Sequence, residues 1–150
     1  MHKNGHIKEI QPIITMIKYG GDCTNFISQC LFSGSKIMNY TKNGWYYNNA
    51  NDKSPSWTGV EFLSDFLLKN KSVGPFAKLA KIEELEVGDI IQLSFNGETF
   101  GHSLIIVEKL GNNLENIFVG AHTFDTYYRK VSSYNYIKER FLHVEGIRKW

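Results

Sequence analysis

Cys23 stands in the segment Gly21-Asp22-Cys23-Thr24-Asn25-Phe26-Ile27-Ser28-Gln29-Cys30, and His102 follows Gly101 at the head of an apolar, β-branched run. A cysteine and a histidine that meet can carry out nucleophilic acyl transfer. The thiolate attacks a carbonyl, the imidazole holds and moves the proton, and a third group orients the imidazole. The thiolate is the reactive form, and a helix N-terminus favours it through its partial positive charge. Cys23 fits that placement. Apolar or small residues at 23, 26, 27, 30, 31 and 34 form one helical stripe, which predicts a helix over 23–33. Asp22 is a suitable N-cap and Gly34 a suitable C-terminal stop. The stripe turns Cys23 toward whatever the helix packs on. Cys30, two turns further along, reads as core. Bland readings stand beside these, since cysteines are often core fillers and a histidine at a strand end is often structural.

His102 is the candidate base, with Gly101 before it allowing close backbone approach. A hairpin of His102–Leu110 and Asn116–His122 centred on Asn112 sets His102 opposite His122, Leu104 opposite Gly120 and Ile106 opposite Phe118. Opposed side chains share a face about 4.5–5.5 Å apart, so His122 is the candidate third member. A bulge would break this register and leave Asp125 or Asn116 as orienter. The oxyanion hole requires the Cys23 N–H and one more donor. Asp22, Asn25 and Tyr19 are the candidates for that donor or for support of the site. Trp45, Trp57, Tyr46 and Tyr47 could stack on sugar rings or pack in the core. His2 and His6 read as incidental and His143 as structural.

Several elements must position these groups. Residues 7–19 read as a short, mostly apolar helix after Pro12, and 39–57 as a long loop. A helix over 59–69 buries Val60, Phe62, Leu63, Phe66 and Leu67. The second half turns to strands: 90–95, a hairpin signal at Asn96-Gly97, then 102–110, 116–122, 127–131 and 141–148. Helices followed by an antiparallel meander make an α+β fold.

The length of 150 residues predicts one domain over 1–150. A net charge of +2 from scattered basic residues gives no nucleic-acid footprint. No apolar run is long enough to span a membrane, and the N-terminus lacks the features of a signal peptide. Localisation is therefore left open, and a monomer is expected. Cys23 and Cys30, about 10 Å apart along one helix, cannot pair. Neither CxxC nor HExxH occurs, so no metal and no cofactor is expected.

A cysteine at a helix start followed much later by a histidine at a strand start is the order of papain-like thiol hydrolases. The segment 21–31 resembles the signature of the putative amidase domain family of bacterial proteins. Ser54-Pro55-Ser56-Trp57-Thr58, Val87-Gly88-Asp89-Ile90-Ile91-Gln92, His102-Ser103-Leu104-Ile105-Ile106-Val107 and Ala121-His122-Thr123 follow in the same order, so that the resemblance spans about residues 18–131. That family is similar to the NlpC-type and CHAP-type peptidoglycan hydrolases. The resemblance implies a papain-like (NlpC-like) domain with N-terminal helices packed on an antiparallel sheet. Cys23 is then nucleophile, His102 base and His122 third member. It further implies a cysteine amidase or endopeptidase cutting an amide bond in cell-wall peptidoglycan, as an endolysin, wall-remodelling enzyme or antibacterial toxin. A protein-directed deamidase or transglutaminase-like enzyme and a non-catalytic glycan-binding module are the alternatives. The family's longer helical segment before the cysteine is matched poorly here.

Overall fold

Two neighbouring strands, β4 (Ile90–Ser94) and β5 (His102–Lys109), are buried on both faces, β5 over its first five residues, and the rest of the chain is arranged to cover them. The structure is a computed structural model and describes residues 23–121 and 128–150. In chain order its other regular elements are helix α1 (Cys23–Ser35), strands β1 (Tyr47–Asn49) and β2 (Asp52–Lys53), helices α2 (Pro55–Thr58) and α3 (Val60–Lys69), and strand β3 (Gly74–Leu79). After β5 come β6 (Ile117–Gly120), β7 (Arg129–Lys130) and β8 (Lys138–Arg148). β1 and β2 form a small hairpin. The six others form an antiparallel sheet in the order β3-β8-β4-β5-β6-β7.

Side chains alternate across a strand, so each central strand serves two cores. Ile90, Ile105 and Leu142 face the helices, where they meet Phe26, Ile27, Cys30, Trp45, Trp57, Leu63, Phe66 and Leu67. Ile91, Leu93, Leu104 and Ile106 face the other way, against Leu85, Ile117, Val119, Ala121 and Val131. The fold is α+β, as the sequence predicts. It is not a simple meander, because β8 lies between β3 and β4.

Helix α1 runs past Gly34. It ends where Lys36 takes a left-handed conformation at φ +60°, its N–H donating to Phe32 O at 2.7 Å. Gly34 is therefore not the stop; the left-handed position that usually selects glycine falls two residues later. The predicted loop at 39–57 is built up by the β1–β2 hairpin, an Asn39–Trp45 bridge and α2. Trp45 and Trp57 are fully buried, with ring centroids 4.5 Å apart. Trp45 Nε1 donates to Ser28 Oγ at 3.0 Å, and Trp57 Nε1 to Asn25 Oδ1 at 2.9 Å. Both rings belong to the core between α1, α2 and α3. This corrects the expectation that they stack on sugar: apolar burial of two indoles, each with a partner for its N–H, leaves no face for a ligand.

The β5–β6 register also differs from expectation. Ile105 pairs with Gly120, Ile106 with Val119 and Glu108 with Phe118, with Val107 as a bulge. A short helical turn at Leu114–Asn116 lengthens the connection, so β6 begins at Ile117. The observed register puts Ile117 and Val119 into the core with Leu104 and Ile106, whereas the expected one would have turned them away. The pairs on the His102 side of the bulge thus run one residue out of the register that set His122 opposite His102, and those beyond it two residues out.

Candidate active site

α1 sets Cys23 against the head of β5, the strand that carries His102. Cys23 is the first described residue of α1, and its Sγ accepts a hydrogen bond from the Ser103 N–H at 3.3 Å. Ser103 directly follows His102, so the thiol lies against the backbone that carries the imidazole. Cys23 and His102 are 8% and 9% exposed, a shielded pair of positions at the head of the sheet. Neither Cys23 nor Cys30 forms a disulfide. Burial pushes the Cys30 thiol far up, which keeps it protonated and inert.

Alternation sends Ser103 and His102 to opposite faces. On the helix side, Ser103 Oγ meets Thr24 Oγ1 at 3.0 Å and accepts from Gln92 Nε2 at 3.2 Å. Gln92 Nε2 also donates to Val60 O, and Gln92 Oε1 accepts from Arg140 Nε at 3.0 Å. Arg140 is in turn ion-paired with Glu61, and its guanidinium carbon sits 4.0 Å from the centre of the Phe100 ring. A chain of polar contacts thus runs from the start of α1 through β5, β4 and β8 to α3. Thr24, Ser103 and Gln92 are all fully buried, so this chain fixes the angle at which Cys23 meets β5.

On the other face the His102 ring lies 6.2 Å from Phe95 and 5.7 Å from Tyr134, centre to centre. Burial holds the His102 pKa below the usual imidazole value, and the Arg129 cation lowers it further. The imidazole is therefore neutral at neutral pH, the form a base requires. Gly101 does not serve a close approach: a Cβ there would meet no described atom within 4 Å.

The remaining expected site residues divide. Asn25 Oδ1 is occupied by Trp57 Nε1 and by Gln29 Nε2 at 3.4 Å, so this oxygen ties α1 to α2. Asn116 lies in the β5–β6 connection, at the opposite end of β5 from His102, where its carbonyl accepts from the Leu110 N–H. Eight residues of strand, about 25 Å at ~3.3 Å each, separate the two, so Asn116 cannot orient the imidazole. Tyr19, Asp22, His122 and Asp125 lie outside the described residues.

Sequence reasoning passed over Ser103, Gln92, Arg140 and Tyr134. Gln92 left a signal, as a lone polar residue inside Ile90-Ile91-Gln92-Leu93 that must be hydrogen-bonded if the strand is buried. The motif aspartate is likewise structural. The Asp89 carboxylate accepts from Glu86 N and Val144 N, each at 2.8 Å, and contacts His143 Nδ1 at 2.7 Å. In the second motif, Ser54 Oγ accepts from Tyr46 N at 2.9 Å and Ser56 Oγ donates to Gly44 O at 2.6 Å, so both pin the loop below Trp45.

Among the described residues no group of three or more His, Cys, Asp or Glu side chains is placed to hold a metal ion. No helix among them is long and apolar enough to cross a membrane.

Comparison with known proteins adds three findings. A family model described as a putative amidase domain matches residues 6–145. The uncharacterized protein YhbB of Bacillus subtilis (strain 168) is 32% identical over 136 residues, 84% of this chain and 43% of that protein. The chain thus spans less than half the length of this relative. No solved structure matches the chain.

Proposed function

This chain belongs to the putative amidase domain family, and from that premise we propose that it is a cysteine-dependent amidase or endopeptidase of papain-like architecture that hydrolyses an amide bond in bacterial cell-wall peptidoglycan. The observation that carries the reading is the contact of Cys23 Sγ with the backbone N–H next to His102. It sets a thiol at the described start of a helix beside the strand residue that follows His102, whose imidazole burial holds neutral, which supports the pairing of the two. Resemblance to NlpC-type wall hydrolases supports the choice of substrate.

In this mechanism His102 takes the Cys23 proton, and the thiolate adds to the amide carbonyl. The resulting oxyanion lies near the N–H groups at the start of α1. Collapse breaks the C–N bond, and His102 protonates the leaving amine. Water, deprotonated by His102, then releases the thioacyl-enzyme as a carboxylic acid. The scheme needs neither metal nor organic cofactor.

Turbidity loss of purified peptidoglycan, with mass spectrometry of the released fragments, tests this reading on wild type and Cys23→Ala. Lysis by wild type alone supports it, and the new termini name the bond. Lysis by both proteins refutes the cysteine mechanism. No lysis by wild type, with Cys23 still rapidly alkylated, refutes the wall substrate and directs the search to protein amides.

A further inference from the structure

We propose that the Tyr134 hydroxyl is the second oxyanion donor of this site, a catalytic residue that hydrogen-bonds the substrate carbonyl oxygen as Cys23 attacks; the inference rests on the thiol acyl-transfer reading above.

Tyr134 follows the short turn Val131–Ser133 at the end of β7, which folds it over the sheet with its N–H on Val131 O at 3.1 Å. Its ring stands 5.7 Å from His102. Arg129 grips the ring face, with its guanidinium carbon 3.8 Å from the centroid and its Nε and Nη2 committed to Ser133 Oγ and O at 2.7 and 3.0 Å. The ring is thus fixed on both sides. Its hydroxyl is buried and forms no hydrogen bond of acceptable length and angle, although the Arg129 guanidinium lies near enough to act on it; among the described residues, no other buried side-chain oxygen or nitrogen lacks such a bond. A hydroxyl stranded in this way is unfavourable, and phenylalanine would fill the same space without it. The oxygen is explained if its partner arrives with the substrate.

The protonation state agrees. Burial raises the phenol pKa, the charge and side-chain contact of Arg129 lower it, and a Cys23 thiolate adds a smaller upward push. The phenol keeps its proton, and the link to the nucleophile is through His102, whose ring is 5.7 Å from Tyr134 and whose neighbour Ser103 contacts Cys23 Sγ through its N–H. When the S–C bond forms, the carbonyl π electrons move onto oxygen, and the Tyr134 O–H donates to that charge. When the C–N bond breaks, the electrons return to re-form C=O and the amine leaves with the proton from His102. Tyr134 is neither oxidised nor deprotonated at any step.

The test compares wild type, Tyr134→Phe and Cys23→Ala in three measurements. Acylation by p-nitrophenyl acetate develops an oxyanion, alkylation by iodoacetamide does not, and thermal unfolding reports the stranded hydroxyl. Tyr134→Phe is expected to slow acylation about 100-fold, in the range for loss of one oxyanion donor. Alkylation of Cys23 is unchanged, and Tm rises. Equal slowing of acylation and alkylation overturns the proposal, because Tyr134 would then tune the thiolate. Unchanged acylation overturns it as well. Wild type that shows no Cys23-dependent acylation overturns both the thiol mechanism and this inference. Slowed acylation by Tyr134→Phe with peptidoglycan left intact by wild type upholds the donor and rejects only the wall substrate.

Discussion

Replacing Asp89 by asparagine separates the structural half of the Gly88-Asp89 motif from the chemistry of the site. The Asp89 side chain is 4% exposed, and its carboxylate accepts from Glu86 N, Val144 N and His143 Nδ1. These three contacts bind the turn before β4 to β8. Asparagine keeps the size and one carbonyl oxygen, which can serve either backbone N–H but not both. The other N–H then faces an NH2 group. A buried donor left unsatisfied costs about 1–3 kcal/mol, and bonds that lose their charge weaken by up to ~1.5 kcal/mol. The sum is about 2–4 kcal/mol of lost stability. For a domain of this size each kcal/mol shifts Tm by roughly 2–4 °C, so Asp89→Asn should lower Tm by about 5–15 °C. Asp89→Ala, which strands both N–H groups, should lower it further, and His143→Gln less, because the carboxylate keeps its two backbone donors. Thermal and urea unfolding followed by circular dichroism measure the loss, and Cys23 alkylation well below Tm measures the site. A change under about 0.5 kcal/mol would refute the claim that this carboxylate joins β4 to β8. Normal stability with a dead thiol would move Asp89 into the catalytic machinery.

Other perturbations test other parts of the argument. Under the proposed mechanism, with His102 as base, the acid limb of Cys23 acylation should fall below the usual imidazole range, since burial and Arg129 both depress the His102 pKa; Arg129→Gln should move that limb to higher pH. The same depression means that the unfolded chain takes up the His102 proton first as pH falls, so this group's contribution to stability is complete above pH ~6.5 and is lost below it. His102→Asn should flatten that segment of a stability-versus-pH curve. Lys36→Gly should raise stability by about 0.5–1 kcal/mol in urea titration by relieving the left-handed strain at φ +60°, and no gain would deny the strain. In the native protein iodoacetamide should modify Cys23 and spare Cys30 until denaturant is added, as peptide mapping would show; native labelling of Cys30 would contradict its burial.

Legibility in the sequence followed periodicity. Both α1 and α3 are legible in their apolar stripes, although Phe62, expected in the buried stripe of α3, is exposed; β4 is legible in Ile90-Ile91-Gln92-Leu93, apolar but for one residue, and β5 in Leu104-Ile105-Ile106-Val107. β3 was missed because Gly74-Pro75 punctuates it, although proline is tolerated on an edge strand such as this one. The place of β8 between β3 and β4 has no local signature, since strand order follows from which apolar faces remain open once the helices have docked. The register of β5 and β6 depended on one bulge at Val107, which no residue type announces. At the candidate site, Cys23 and His102 stand out in the sequence because few residue types can do this chemistry, and the proposal rests on them. Ser103 acts on Cys23 through its backbone N–H, which every residue but proline possesses, so its type carried no information. Tyr134 was hidden among the eight tyrosines of the chain and is distinguished only by where its hydroxyl ends up.

The position of β8 also sets when this protein can fold. The helical layer and β3 are made first, and β4 through β7 later, yet β8 alone bonds both β3 and β4. A nascent chain that has emerged only as far as residue 137 holds the sheet β4-β5-β6-β7, open along β4, and the single strand β3 without a partner. Closure waits for residues 138–148 to clear the ribosome exit tunnel. Until then Ile90 and Ile91 lack the neighbours Leu142 and Phe141, and the exposed edges are those that a chaperone, or a second nascent copy, would meet first.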